Sequence, residues 1–322
     1  MANAKLCITL AAALMTQSVM SAEKNISTHV ASGTLGGTLL TTDSDHGHSP
    51  LVLIIPGSGP TDRDGNNRLG VTGAPYRMLA AALAQHGISS LRIDKRGLFG
   101  SANQGLDPND ATIDAYADDI HAWVKEIRAT TAHTCVWVLG HSEGGLVAGV
   151  AARKPDGICG LILVSAAGQN GADVIKRQLQ SNPANAPLLP RAFSAIESLR
   201  AGHRVDVSSF PAPLQSLFNP AVQNYLINWF SFDPAQELKG FAGPIIVIQG
   251  TDDLQINLDD ATRLASARPG IALKTIHGMN HVLKLPAAGV AANLASYADP
   301  SMPLAPELAP AIADFILKHG DK

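Results

Sequence analysis

The residues best suited to chemistry in this 322-residue chain form the run GHSEG at positions 140–144. The run fits G-x-S-x-G, a pattern in which a serine lies on a sharp turn between a strand and a helix. Apolar residues at 136–139 precede it, and a segment rich in Ala and Gly follows it. Side chains in place of the flanking glycines would collide across so tight a turn. The pattern predicts a strained, exposed Ser142 at the N-terminus of a helix, where developing negative charge is stabilised.

Three further segments carry recognisable patterns. They are PGSGPTDRDGN at 56–66, DKRG at 94–97 with GS at 100–101, and GTDDLQ at 250–255. Together with GHSEG, they resemble the oxyanion loop, the D-x-R-G-x-G-x-S turn and the acid-bearing loop of α/β-hydrolases, and more closely of the bacterial serine esterases in that superfamily. The resemblance extends from about Val52 to Phe315.

The resemblance implies a catalytic triad whose members follow the chain order Ser, acid, His. It places the base at His281, in the loop after the last predicted strand, with His277 as the weaker alternative at the end of that strand. It places the acid at Asp253. Asp252 is the competing choice, although neighbouring side chains in an extended turn diverge.

A tetrahedral intermediate also needs backbone N–H donors, one of them from the residue after the nucleophile. This requirement nominates Glu143 and, in the glycine-rich loop, Ser58, with Gly59 as an alternative if the loop is shifted by one residue. The loop lacks the G-K-[ST] of a phosphate-binding loop, which disfavours nucleotide binding. The side chains of His141 and Glu143 are expected to pack rather than react.

Short β-rich runs alternate with helical segments, which predicts a mostly parallel central sheet flanked by helices, the α/β-hydrolase fold. The expected core comprises residues 23–167 and 240–322, and it opens with a hairpin over Ser27–Thr42. Residues 168–239 are predicted to form a helical insertion after the strand that follows the nucleophile helix. This insertion contains seven of the chain's 15 aromatic residues. It therefore forms either a lid over an apolar substrate pocket or a cap with a satellite core of its own.

The elements expected from the periodicity are bounded as follows. Strands are predicted at 51–55, 89–93, 135–139, 161–164, 245–249 and 272–276, and helices at about 75–85, 112–128, 146–153, 258–267 and 306–319.

The N-terminus carries the pattern of a secretory signal peptide, assigned to residues 1–22. An apolar run at 6–15 follows Lys5, and small residues lie near Ser21 and Ala22. A buried N-terminal helix is the alternative. The signal predicts export to the periplasm or the medium. The run is too short to span a bilayer, so no membrane span is expected in the mature chain.

The mature chain would keep two cysteines, Cys135 and Cys159. Each begins an apolar run, and the two runs are predicted to be neighbouring parallel strands. In an exported protein such a pair favours a disulfide, with two small buried thiols as the alternative.

Composition excludes several functions. With 24 Lys+Arg against 27 Asp+Glu and a net charge of −3, the chain lacks the basic surface that nucleic acids require. No metal is expected, because the HGH run at 46–48 has no third ligand in view and no H-E-x-x-H or C-x-x-C is present. The charged residues at 62–64 and 94–96 are interpreted as a structural network, or alternatively as a site for an anionic substrate.

These patterns predict a serine carboxylesterase that acts on a small-molecule ester through an acyl-enzyme and needs no cofactor. A serine aminopeptidase or amidase of the same superfamily is the first alternative. A non-catalytic binding protein with this fold is the second.

Overall fold

One sheet organises the part of the chain that the computed structural model describes, which is residues 21–42, 49–103 and 107–320. Within these residues the sheet has eight strands. They are β1 (Ser21–Val30), β2 (Gly33–Thr42), β3 (Leu51–Ile55), β4 (Ser89–Ile93), β5 (Val136–His141), β6 (Ile158–Val164), β7 (Ile245–Gly250) and β8 (Ala272–Ile276).

Helices connect the strands. They are α1 (Pro75–Ala84), α2 (Ile113–Thr130), α3 (Glu143–Ala151), α4 (Gly171–Ser181), α5 (Leu189–Arg200), α6 (Ala212–Leu217), α7 (Gln223–Trp229), α8 (Pro234–Glu237), α9 (Leu258–Ala265), α10 (Val290–Ala295) and α11 (Leu308–His319). No helix in the described ranges is both long enough and apolar enough to cross a membrane.

The strand order is β1-β2-β4-β3-β5-β6-β7-β8. The hairpin β1–β2 joins β4 in antiparallel fashion, and the strands from β4 to β8 are mutually parallel. The chain moves from β3 outward to β4 and then returns to β5 on the other side of β3. Ligands of open α/β sheets bind at such a reversal, at the carboxyl ends of the strands. The loops that hold Ser58 and Ser142 begin at this point.

Helices cover both faces of the sheet, so its central strands read as continuous apolar runs. Residues of α2 and α3 pack in one hydrophobic layer, which includes the fully buried Trp123. Residues of α1 and α11 pack in the other, with Trp137. The predicted fold class and the mostly parallel, helix-flanked sheet are confirmed.

Several boundaries differ from the predicted ones. The hairpin begins at Ser21 rather than Ser27, because ten residues of β1 pair with β2. The helix after the predicted nucleophile begins at Glu143 rather than Leu146, because Ser142 itself occupies the N-cap. Helix α10 was not predicted. The signal-peptide assignment falls mostly on residues 1–20, which lie outside the described residues, so it stays a prediction, although Ser21 and Ala22 belong to β1.

The insertion between β6 and β7 contains α4 to α8. Its apolar residues form a hydrophobic cluster of their own, with Ile196, Leu199 and Phe218 fully buried. The satellite core of the second interpretation is therefore present. The insertion also bonds to the sheet domain, since Asn228 Oδ1 accepts from the Ile113 amide at 2.8 Å. Its function as a lid remains a prediction.

Cys135 and Cys159 form a disulfide in the structure, with a Cα–Cα separation of 5.3 Å. The bond lies at the start of β5 and β6, where the two parallel strands are adjacent. It closes a loop with a sequence separation of 24 residues. A crosslink over such a loop stabilises the fold mainly by restricting the unfolded chain.

Reduction of this disulfide should lower the free energy of unfolding by about 3 kcal/mol, the value typical of a loop of this length. Urea unfolding followed by circular dichroism, with and without reductant, measures the difference. The variant Cys135→Ala/Cys159→Ala is the control, and its midpoint should not respond to reductant. An equal midpoint for the wild type under both conditions would show that the crosslink contributes nothing.

Candidate active site

Ser142 lies on a strained turn at the end of β5. Its φ of 54° and ψ of −120° fall in a region that residues other than glycine rarely occupy. The Ser142 amide donates to the carbonyl of Val164 on β6 at 3.0 Å, and α3 begins at the next residue. The predicted strained serine between strand and helix is present.

The geometry explains both glycines of the GHSEG run. A Cβ on Gly140 would lie 2.2 Å from the carbonyl oxygen of Gly144. A Cβ on Gly144 would lie 2.6 Å from the carbonyl oxygen of Ile55 at the end of β3. Because backbone atoms cannot move aside as a flexible side chain can, neither position accepts another residue without deforming the turn.

His281 and Asp253 form a buried pair. The Nδ1 of His281 lies 2.9 Å from Oδ2 of Asp253, and the two side chains are 8% and 0% exposed. Because an ionised carboxylate can only accept, the proton of this hydrogen bond belongs to Nδ1. The Nε2 of the neutral ring then keeps its lone pair, which is the arrangement that a general base requires.

Asp253 is held in place by four donors. Its Oδ1 accepts from the amides of Gln255 at 2.8 Å and Ile256 at 2.9 Å, and Nε2 of Gln249 donates to its Oδ2 at 3.2 Å, in addition to His281. Burial alone would raise the pKa of the carboxyl group. The charge of His281 and the hydrogen bonds outweigh burial and lower the pKa of Asp253 below 3.8. The carboxylate therefore stays ionised at neutral pH.

The two competing residues lie elsewhere. Asp252 is exposed, and its Oδ1 accepts from the hydroxyl of Thr251 at 2.9 Å. His277 is also exposed, directly after β8. The structure brings together Asp253 and His281, as the sequence analysis favoured.

The turn before His281 is braced from α10. The side chain of Asn280 is buried and donates to Oγ of Ser296 at 2.7 Å, while its Oδ1 accepts from the Lys284 amide at 3.0 Å. Asn293 of α10 donates to the carbonyl of Asp252 at 2.7 Å. The loops of the acid and the base are therefore fixed to the same helix.

The glycine-rich loop after β3 lies against the serine. A Cβ on Gly57 would come within 3.1 Å of the Cβ of Ser142. Among the described residues, neither the Ser58 amide nor the Glu143 amide has a protein acceptor. Both are adjacent in sequence to residues at this contact, which suits them to bind an oxyanion. Gly59 has a φ of 72°, and no contact decides between it and Ser58.

The Glu143 side chain is buried and carries a compensated charge. Its Oε1 accepts from Nζ of Lys95 at 2.9 Å, and its Oε2 accepts from the hydroxyl of Tyr225 on α7. Burial, with the Glu143 charge, raises the pKa of Tyr225 well above 10, so the phenol stays protonated and donates. Nζ of Lys95 also lies 5.0 Å from the ring centroid of Tyr116. The packing predicted for Glu143 is thus a buried ion pair bonded to the insertion.

The remaining charged residues form the structural network of the first interpretation. Asp94 accepts from Arg63 Nε at 2.8 Å, from the Arg63 amide at 2.8 Å and from the Gly100 amide at 2.9 Å. Asp62 caps its own loop by accepting from the amides of Asp64 at 2.9 Å and Asn66 at 2.8 Å. These bonds fix the loops after β3 and β4 to each other.

Sequence reasoning missed three contributors to the site: Tyr76, Tyr225 and Gln249. Tyr76 and Tyr225 lie far in sequence from the residues that they contact, whereas Gln249 lies four residues before Asp253. None of the three belongs to a motif. A search for polar residues at buried positions of amphipathic elements would have selected Gln249, which stands in an apolar strand. The histidines at 46 and 48 lie outside the described residues.

Comparison with known proteins supports this fold. Residues 67–211 match the family model described as serine aminopeptidase, S33. Over 253 residues the chain is 25% identical to the curated esterase EstD of Thermotoga maritima. The aligned region covers 76% of this chain and 57% of that protein. The chain thus spans little more than half the length of this relative.

Solved structures share the fold. Est1E from Butyrivibrio proteoclasticus superposes with a TM-score of 0.59 at 17% identity, over 92% of this chain and 99% of that one. The Pyrococcus furiosus esterase Pf2001 superposes with a TM-score of 0.60 at 15% identity, over 92% and 91%. Together with the strand order of the sheet, these likenesses show that the chain has the α/β-hydrolase fold.

Replacement of Lys95 by Met should lower the free energy of unfolding by about 3–5 kcal/mol, because it leaves the Glu143 carboxylate buried without its cation. Urea unfolding measures the loss. The control is Lys274→Met, which breaks the exposed pair with Glu307 and should cost no more than about 1 kcal/mol.

A second variant separates charge from packing. Lys95→Met/Glu143→Gln removes both charges and keeps the backbone N–H of residue 143. It should therefore recover most of the lost stability. Equal losses for Lys95→Met and Lys274→Met would contradict a buried, compensated carboxylate.

Proposed function

We propose that this protein is a serine hydrolase that cleaves carboxylic esters through an acyl-enzyme intermediate. The observation that carries the proposal is the buried Asp253–His281 pair beside the strained turn of Ser142. The ring centroid of His141, the neighbour of Ser142, lies 4.8 Å from that of His281, so the pair is close to the turn. A serine hydroxyl becomes an effective nucleophile only beside such a base.

In the proposed mechanism, Ser142 Oγ attacks the ester carbonyl carbon as Nε2 of His281 takes the hydroxyl proton. The carbonyl oxygen becomes an oxyanion that accepts from the amides of Ser58 and Glu143. The intermediate collapses, and the C–O bond to the alcohol breaks as His281 returns the proton to the leaving oxygen. Water, deprotonated by His281, then attacks the acyl carbon. The bond between that carbon and Ser142 Oγ breaks as His281 returns the proton to Oγ, which releases the acid and restores the serine. Asp253 holds Nδ1–H and stabilises the transient imidazolium.

The insertion favours an ester over a peptide amino terminus. An aminopeptidase needs a carboxylate to bind the substrate's ammonium group, and every candidate in the insertion already has a partner. The pairs are Asp173 with Arg200, Glu197 with Lys176, Asp206 with Ser208, Asp233 with Arg263, and Glu237 with Arg153. The curated relative is named an esterase, which points the same way.

The family model is named for serine aminopeptidases, and this keeps the amidase alternative under test. The substrate is a small molecule, and every step above uses side chains and backbone amides alone, so the mechanism calls for no cofactor. The export predicted from residues 1–22 would place the activity in the periplasm or the medium.

Ser142→Ala should lower kcat for p-nitrophenyl esters by about 10⁴–10⁶-fold, because the nucleophile is lost. Steady-state rates for an ester series of rising acyl length, beside an amino-acid p-nitroanilide, measure the effect and the preference. Ser27→Ala, on the exposed face of β1, is the control and should match the wild type. Faster cleavage of the anilide would move the assignment to an amidase. A wild type that cleaves neither and resists a fluorophosphonate would favour a binding protein.

Asp253→Asn should lower kcat by about 10⁴-fold, because an amide no longer holds the required tautomer of His281. The adjacent Asp252→Asn is a matched control, since the Asp252 side chain is exposed and accepts a hydrogen bond from the Thr251 hydroxyl rather than from His281. It should stay within a few-fold of the wild type. Similar losses in both variants would contradict the assigned acid.

A further inference from the structure

A continuous row of hydrogen bonds crosses the site behind Ser142. The Gly57 amide donates to the hydroxyl oxygen of Tyr76 at 3.1 Å. The Tyr76 hydroxyl lies 2.9 Å from Nδ1 of His141, and Nε2 of His141 lies 2.8 Å from the carbonyl oxygen of His281. Tyr76, His141 and His281 are at most 6% exposed, so water does not compete for these bonds.

The direction of every bond in the row is fixed by its two ends. The carbonyl of His281 can only accept, so Nε2 of His141 carries the proton. In the neutral ring Nδ1 must then accept, and the Tyr76 hydroxyl donates to it. The Tyr76 oxygen in turn accepts from Gly57. Each member has one role, and reversing any bond would leave a buried group unsatisfied.

Two further features keep the row in this state. Burial, together with the charge of the nearby His281, lowers the pKa of His141 to about 3, and the bond to the His281 carbonyl only partly opposes this shift. Burial also raises the pKa of Tyr76 well above 10. Neither ring changes its proton count near neutral pH. The directions of these hydrogen bonds therefore persist while His281, in the proposed mechanism, takes the proton of Ser142 and returns it.

We propose that Tyr76 and His141 are positioning residues that hold the oxyanion loop and the His281 loop at a fixed separation across Ser142. The row begins one residue before Ser58, passes through the residue before the nucleophile, and ends on the backbone of the base. It thus joins three groups that must lie within a few tenths of an ångström of their reacting positions. This inference rests on the proposed function, because it concerns the residues that hold the proposed catalytic groups in place.

The hydroxyl of Tyr76 is the part of the row that can be removed alone. Tyr76→Phe keeps the ring in its hydrophobic layer and breaks the bonds to Gly57 and His141. We expect kcat for p-nitrophenyl esters to fall by about 10–100-fold with KM within about twofold, because a misplaced donor or base slows the chemistry without altering the binding of the substrate. The rate at which a fluorophosphonate labels Ser142 should fall by the same factor.

Tyr297→Phe is the matched control. It removes a half-buried hydroxyl that accepts from Nε2 of Gln255 at 3.3 Å and takes no part in the row. We expect unchanged kcat for this variant. If Tyr76→Phe lowers only the urea midpoint and leaves kcat and the labelling rate intact, the hydroxyl serves packing alone and the proposal is overturned.

Nuclear magnetic resonance tests the hydrogen bonds of the row independently of catalytic activity. In the wild type, His141 should show an unprotonated Nδ1 and a protonated Nε2 at neutral pH, and Tyr76→Phe should shift both the Gly57 amide and the His281 carbonyl signals. A protonated Nδ1, or an unaffected His281 carbonyl, would overturn the proposal. A wild type that hydrolyses no ester while showing these signals would refute the esterase assignment and leave the row established.

Discussion

The arrangement of this site depends on the strained turn at Ser142. A φ of 54° on a residue with a side chain costs of the order of 1–3 kcal/mol and persists only where the surroundings enforce it. Here the enforcement comes from close backbone contacts, since Gly140 and Gly144 pack without side chains against each other and against the end of β3. The parallel sheet fixes β3 and β5 side by side, so the turn has nowhere to relax. The free-energy cost of the strained backbone at one residue is thereby offset by the favourable burial of the sheet that enforces it.

The same turn creates an electrostatic problem that the structure solves. In the proposed mechanism the amide of Glu143 binds the oxyanion, but the side chain of the same residue carries a negative charge. The carboxylate is buried, bonded to Lys95 and to the Tyr225 hydroxyl, so its charge is offset locally. The helix N-terminus can then stabilise negative charge without opposition from the side chain of its first residue. Because Tyr225 belongs to the insertion, one of the two side-chain bonds to this carboxylate comes from the insertion and the other, from Lys95, comes from the loop after β4.

Much of the fold and of the candidate site followed from local patterns. The alternation of strands and helices predicted the parallel sheet. The GHSEG run predicted the turn because so tight a strand-to-helix turn leaves no room for side chains on either side of the serine. Asp253 and His281 were placed by the resemblance to α/β-hydrolases, which puts the acid and the base in the loops after two late strands. Tyr76 and Tyr225 were not found, because their contacts join elements 65 and 82 residues apart in sequence and no local pattern records which buried polar groups will meet. Gln249 lies only four residues from Asp253, but it stands in an apolar strand and belongs to no motif. Helix α10 is short and lacks a side-chain N-cap, so it gave no signal either.

The protonation states of Asp253 and His141 both suit a positive charge on His281. Asp253 is charged, which favours the positive charge that His281 acquires in the proposed mechanism when it takes the serine proton. His141 is neutral, and its ring lies 4.8 Å from that of His281. A second cation at that distance would oppose the proton transfer by about 3 kcal/mol at an effective dielectric constant near 20, or roughly two powers of ten in rate. A buried imidazole that donates from Nε2 and accepts at Nδ1 gives the loops a rigid link and avoids this cost. An arginine in the place of His141 could supply the donor but not the acceptor, and it would remain charged.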